Sequence, residues 1–281
     1  MFNLIKMDLH RLVRTAAVWI ILAFAVGAAV FSVVMTDSDI QLMKEEAQTA
    51  AEESEQRTIG IYVFADPKWA DGTIEAGSVI SAELRSGLLS ILCVIFTAIF
   101  AGAEQKNGYI KNIAGLFPRR GNLAAAKGIV MSIWVLVMML VFAAAAAAAG
   151  ILLWGKEFYL ESAAEFLKFL GAQYIFHLEL SMLILLFSML TRSTAFSMTA
   201  GILICSGILV PLYSFINKAV HDFRPQWEFD INCFVPDGNI TMMGLDTAAD
   251  LMRKSVLTGA VFTVILVLLS MLILQKRDIK Q

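Results

Sequence analysis

Apolar and polar positions in this chain fall in long blocks, not in the strict alternation of strands. Six blocks stay apolar for about 20 residues, the length a helix needs to cross the hydrocarbon core of a bilayer. They lie at about 15–35, 86–103, 128–154, 169–190, 195–216 and 255–274. The first, TAAVWIILAFAVGAAVFSVVM, carries no charge and has Trp19 near one end, where an interfacial anchor belongs. The third includes the run Ala143 to Ala149 followed by Gly150. Such small side chains either let a second helix approach closely or simply favour helix in lipid. Pro211, near the end of the fifth block, predicts a kink or a break there.

Residues 1–14, MFNLIKMDLHRLVR, are too polar to span. On a helix, Phe2, Ile5, Leu9 and Leu12 share one face, with Leu4 and Val13 near it, while Lys6, His10, Arg11 and Arg14 hold the other. That pattern predicts an interfacial helix, apolar side into lipid and basic side toward headgroups. A charged lead-in to the first span is the plainer alternative. No small-residue cleavage site follows the first apolar block, so it is expected to stay in the mature chain. The blocks together predict an all-α fold. It is a single transmembrane domain over 1–281, with six transmembrane helices, an N-terminal interfacial helix and both termini on one side.

Composition agrees. Of 281 residues 58% are hydrophobic and the mean hydropathy is +0.73, against about 45–50% apolar in ordinary soluble domains. The net charge of −2 hides an asymmetry between loops. The segments 1–14, 104–127, 191–194 and 275–281 carry twelve Lys and Arg against three acids. The segments 36–85, 155–168 and 217–254 carry ten against twenty. The excess of bases beside span ends predicts that the first set is cytosolic. Residues 36–85 then form an extracellular loop, with a helix-favouring piece at 39–57 and a turn-rich cap at 58–75. Residues 217–254 form an extracellular or re-entrant loop. Their Phe223, Trp227, Phe229, Phe234, Met242 and Met243 suit the interface, or a dip into the membrane shielded by protein.

Candidate chemistry is sparse. Cys93, Cys205 and Cys233 are odd in number and far apart, so they read as packing residues. There is no nucleotide-binding G-x-x-x-x-G-K-[ST], no H-E-x-x-H and no G-x-S-x-G. The chain is expected to bind no cofactor or nucleic acid and to catalyse no reaction itself. Glu179 falls near the middle of the fourth block, where a carboxylate is costly and functional by default. It reads either as a substrate-pathway or gate residue, or as an interhelical hydrogen-bonding group. His177 is two residues away, about 200° round a helix, so the two cannot form one site on one face. With Gln173 and Tyr174 nearby, His177 reads as a packed polar residue before it reads as a ligand.

The most distinctive stretch is 104–127, EQKNGYIKNIAGLFPRRGNLAAAK. Its basic residues are partly explained by topology. Its apolar Tyr109, Ile110, Ile113 and Phe117 are not, and their approximate helical spacing points to a face that meets protein. Arg119, Arg120 and Lys127 are expected at lipid headgroups. Glu104, Gly108, Ile110-Lys111-Asn112, Pro118-Arg119-Arg120 and Lys127, set between spans two and three, resemble the membrane subunit of type-2 ABC exporters. The six spans, the N-terminal helix and the interrupted connection between the last two spans add to the likeness. Within that family the chain is similar to bacterial permeases of antimicrobial-peptide resistance and phenol-soluble modulin export.

The resemblance implies that 104–117 is a coupling helix, with Glu104, Gly108, Tyr109, Ile110, Lys111, Asn112, Ile113 and Phe117 facing a separate ATPase. Two ATPase copies would carry the ATP and magnesium. Two permease copies would form a homodimer in a bacterial plasma membrane and export amphipathic peptides or lipid-like substrates. Two other classes stay open: a non-transporting membrane sensor or immunity protein that binds peptide through 36–83 and 217–254, and an intramembrane enzyme built on Glu179.

Overall fold

The computed structural model of the chain describes residues 1–47, 66, 68–69, 74–106, 120–160, 162–227 and 229–276, with backbone alone at 45–47 and 104–106. Helix α1 (Phe2–Arg14) is followed after one residue by α2 (Ala16–Ala47). Nothing between Thr36 and Ala47 breaks a helix, so α2 does not stop where its apolar run stops. Its 32 residues make a rod of about 48 Å, longer than a hydrocarbon core of about 30 Å.

The segment expected as one loop at 36–85 is therefore not one. Its first part belongs to α2, and its last part forms α3 (Ala76–Arg85), eight of whose ten residues are buried. Gly87, at φ 88°, turns the chain into α4 (Leu88–Lys106). The two helices are bent by 46° and are together long and apolar enough for one broken span. Ile74–Glu75 (β1) pairs in parallel with Phe158–Tyr159 (β2), a two-residue ladder that clips the start of α3 to the far end of the next helix.

That next helix is α5 (Gly121–Trp154). It begins seven residues before the expected span, so 121–127, read as loop from sequence, is helical. Then come α6 (Ala163–Thr191), capped by the Ser162 hydroxyl, and α7 (Thr194–Cys205). At twelve residues, or about 18 Å, α7 is too short to span. Residues 206–209 turn, with Gly207 at φ 71°, and α8 (Val210–Phe223) leaves at 64°. The fifth block is thus broken earlier than expected. Pro211 lies in the first turn of α8, where its missing N–H leaves no bond unmade; the turn around Gly207 makes the break.

Within 217–254 the chain forms the end of α8, a 3-10 turn at 231–233 and α9 (Pro236–Met242), before α10 (Ala249–Lys276). The protein is an all-α polytopic membrane protein. Among the described residues, four helices (α2, α5, α6 and α10) can cross a membrane alone, and six spans result if each bent pair counts as one.

Helix α6 sits at the centre, against α4, α5, α7, α9 and α10. Helices α2 and α5 pack along each other, and both bury small residues: Ala25 and Ala29, and Ala143, Ala146 and Ala149. Close approach is one outcome of the alanine run. At the α4–α6–α7 crossing, a Cβ on Gly201 would meet Val94 at 2.4 Å and Ile184 at 2.6 Å.

Candidate functional site

Two of the places that combine burial with charge among the described residues bear on the expected sites. The first is where α1 meets the ends of α4 and α5. The spacing i, i+4, i+8 puts Leu4, Asp8 and Leu12 on one stripe, and this stripe is the buried one. It packs on α5, while Phe2, Leu9 and Val13 face outward. The apolar face expected to enter lipid is thus divided between lipid and protein, with Leu12 on the protein side. Asp8 pairs with Lys127 at 3.8 Å, both almost fully buried. Lys127 is therefore not a headgroup contact, because the helical start of α5 turns it inward. Its ammonium also lies 5.3 Å from the ring of Phe100, and the Arg11 guanidinium lies 4.8 Å from it. Arg11 donates to the Phe100 carbonyl at 3.2 Å. Below Phe100 the aromatic column continues through Phe96 to Trp134.

This cluster ties together α1 and the two helices that flank the 104–120 connection. Gly108, Tyr109, Ile110, Lys111, Asn112, Ile113 and Phe117 lie outside the described residues. Glu104 stands in the last turn of α4, with its side chain outside them too.

The second place is the interior around α6. His177 Nδ1 donates to the Gln173 carbonyl at 2.8 Å, and because a carbonyl only accepts, this bond sets the tautomer. Nε2 then accepts from the Ser90 hydroxyl at 3.2 Å. Both ring nitrogens are engaged, bracing α6 against α4. Gln173 donates to the Ile240 and Met243 carbonyls, at 3.2 and 3.0 Å, and so holds the end of α9. Glu179 points elsewhere, toward α10, where a Cβ on Gly259 would lie 2.9 Å from Oε2. The side chain is buried, and Oε2 has no hydrogen-bond partner among the described residues. The acid whose charge reaches Glu179 is Asp237, in the first turn of α9.

Asp237 accepts from the Tyr213 hydroxyl through both carboxylate oxygens, each at 3.1 Å. Burial raises its carboxyl to about 6, opposed by Tyr213 and the first amides of α9. It lies on the wall of a cavity of about 370 Å³ beside the α7–α8 break, with Ile204, Val210, Tyr213, Met242 and Arg85. Arg85 also lines a second, more polar cavity of about 280 Å³ with Trp69, Glu75, Glu165 and Asp246. Its Nε donates to the Thr241 carbonyl at 2.8 Å, and Asp246 balances its charge. His177 and Glu179 are not on the wall of either cavity. The structure thus keeps the two apart, as their spacing demands, and gives Glu179 a neighbour that sequence reasoning missed. Asp8 was findable from its place on the buried stripe. Asp237, Tyr213 and Arg85 carried no such signal, since they meet only through the break and the fold of α9.

The whole arrangement is a bundle of long apolar helices with a broken fifth element, buried charges and a tied basic end. Against known families, residues 4–206 match the ABC-2 family transporter proteins. The chain belongs to the ABC-2 transporter family. The match runs from α1 to the α7–α8 break. A search among curated proteins finds no match. The protein is therefore a multi-pass permease subunit of an ABC transporter, a transport component and not itself a catalyst, and its family implies an ABC ATPase as partner.

Proposed function

We propose that this permease exports an amphipathic peptide or lipid-like substrate. It works as a homodimer in a bacterial plasma membrane, driven by two copies of a separate ATPase that bind ATP and magnesium. The observation that carries the reading is the buried junction of Asp8, Lys127, Phe100 and Arg11. It joins α1, α4 and α5 into one unit at the base of the 104–120 connection. A push delivered there by ATP-driven closure moves three helices together. Glu104, Gly108, Tyr109, Ile110, Lys111, Asn112, Ile113 and Phe117 form the docking surface in this reading. The substrate leaves through the interior beside α6, where Glu179 stands near the route and His177 braces it.

The test is reconstitution with the candidate ATPase. Gly108→Pro or Lys111→Glu is expected to leave the permease inserted but to abolish co-purification of the ATPase and ATP-driven peptide movement. Normal co-purification with both variants would remove the coupling assignment. Peptide binding with no ATP-dependent movement would favour a non-transporting sensor or immunity protein.

A further inference from the structure

The geometry points to the cavity at the α7–α8 break as a binding site for a cationic amphiphile, with Asp237 taking its charge. This narrows the cargo of the exporter reading and rests on it. Asp237 is the anionic group on the wall, held in place by the two-oxygen bond from Tyr213. The cation on the same wall, Arg85, is already committed, its Nε to the Thr241 carbonyl and its charge to Asp246.

Among the described residues of the packed elements, no other basic side chain competes. Lys168 and Arg192 lie at the two ends of α6, Arg253 pairs with Asp250 in the first turn of α10, next to exposed Lys254, and Lys218 and His221 are exposed on α8.

The rest of the wall fits the rest of the ligand. Ile204, Val210 and Met242 are apolar, and Ile208 and Leu212 at the break are exposed on the outside of the bundle. A molecule lying in the lipid has an apolar way in from there, and its charged head ends at Asp237.

The experiment uses the full-length permease in nanodiscs, without ATPase, and two fluorescent probes with one body. These are 11-(dansylamino)undecyl-trimethylammonium and 11-(dansylamino)undecanoate, each corrected for empty nanodiscs. The ammonium probe is expected to bind saturably and the carboxylate probe not to. Asp237→Asn, nearly the same shape, is expected to weaken the ammonium probe by about tenfold, a change of about 1.4 kcal/mol. Tyr213→Phe is expected to weaken it several-fold, and it carries the test if Asp237→Asn does not fold. Equal affinity for the two probes, or unchanged affinity in the folded variants, overturns the proposal. Binding without ATP-driven transport in the reconstituted complex would overturn the exporter reading and leave the site standing. Transport without selective binding would do the reverse.

Discussion

Asp8 and Lys127 are charges that the fold takes out of water and sets against each other. A buried pair of this kind adds little over an apolar replacement, but losing one partner costs about 3–5 kcal/mol. Asp8→Asn should therefore lower the thermal midpoint of the detergent-solubilised protein clearly. Asp8→Asn combined with Lys127→Met should recover most of the loss, because no charge is then left buried. Additive losses in the double variant would show that the two residues do not act as a pair. The same logic of partners explains His177. Buried with both nitrogens bonded, it needs no ligand to account for it. Glu179 has no such explanation: its Oε2 finds no hydrogen-bond partner among the described residues. At this scale sequence reasoning located Glu179 but set Lys127 at lipid headgroups and passed over Asp8 and Asp237, since burial and partners come from other helices.

Helix α7 ends where a residue with positive φ is required, at Gly207. A side chain there strains the left-handed turn by about 1–2 kcal/mol. Gly207→Ala should accordingly reduce stability by about that amount, whereas Pro211→Ala should change it little, since Pro211 merely opens α8. Thermal unfolding of the two variants side by side checks this. A larger loss from Pro211→Ala would return the break to the proline. Apolar block lengths showed where helices exist. They did not show that α2 runs on to Ala47, that α3 is buried beside α5, or that the fifth block is two helices. Helix ends follow local breakers and caps, and α3 owes its burial to neighbours distant in sequence.

At the scale of the molecule, long helices are gathered round α6, and the sequence divides its connecting segments into a basic set and an acidic set. The charge asymmetry predicts that the basic end is cytosolic. In a cysteine-free background, a cysteine at Ser38 should react with a membrane-impermeant maleimide on intact cells. A cysteine at Ser193 should react only after permeabilisation. The reverse pattern would invert the orientation and place the 104–120 connection out of reach of any ATPase. The chain's membrane class and the span regions, with the uncharged runs that carry them, were determined by the sequence alone, because the cost of exposing backbone and charge to lipid is local and additive. The site was decided only by tertiary structure. Tyr213 reaches Asp237 because the chain turns at Gly207 and α9 folds back against α6. Arg85 faces the same cavity because α3 bends away from α4. Contacts of that kind depend on angles between helices, and no periodicity along one helix encodes them.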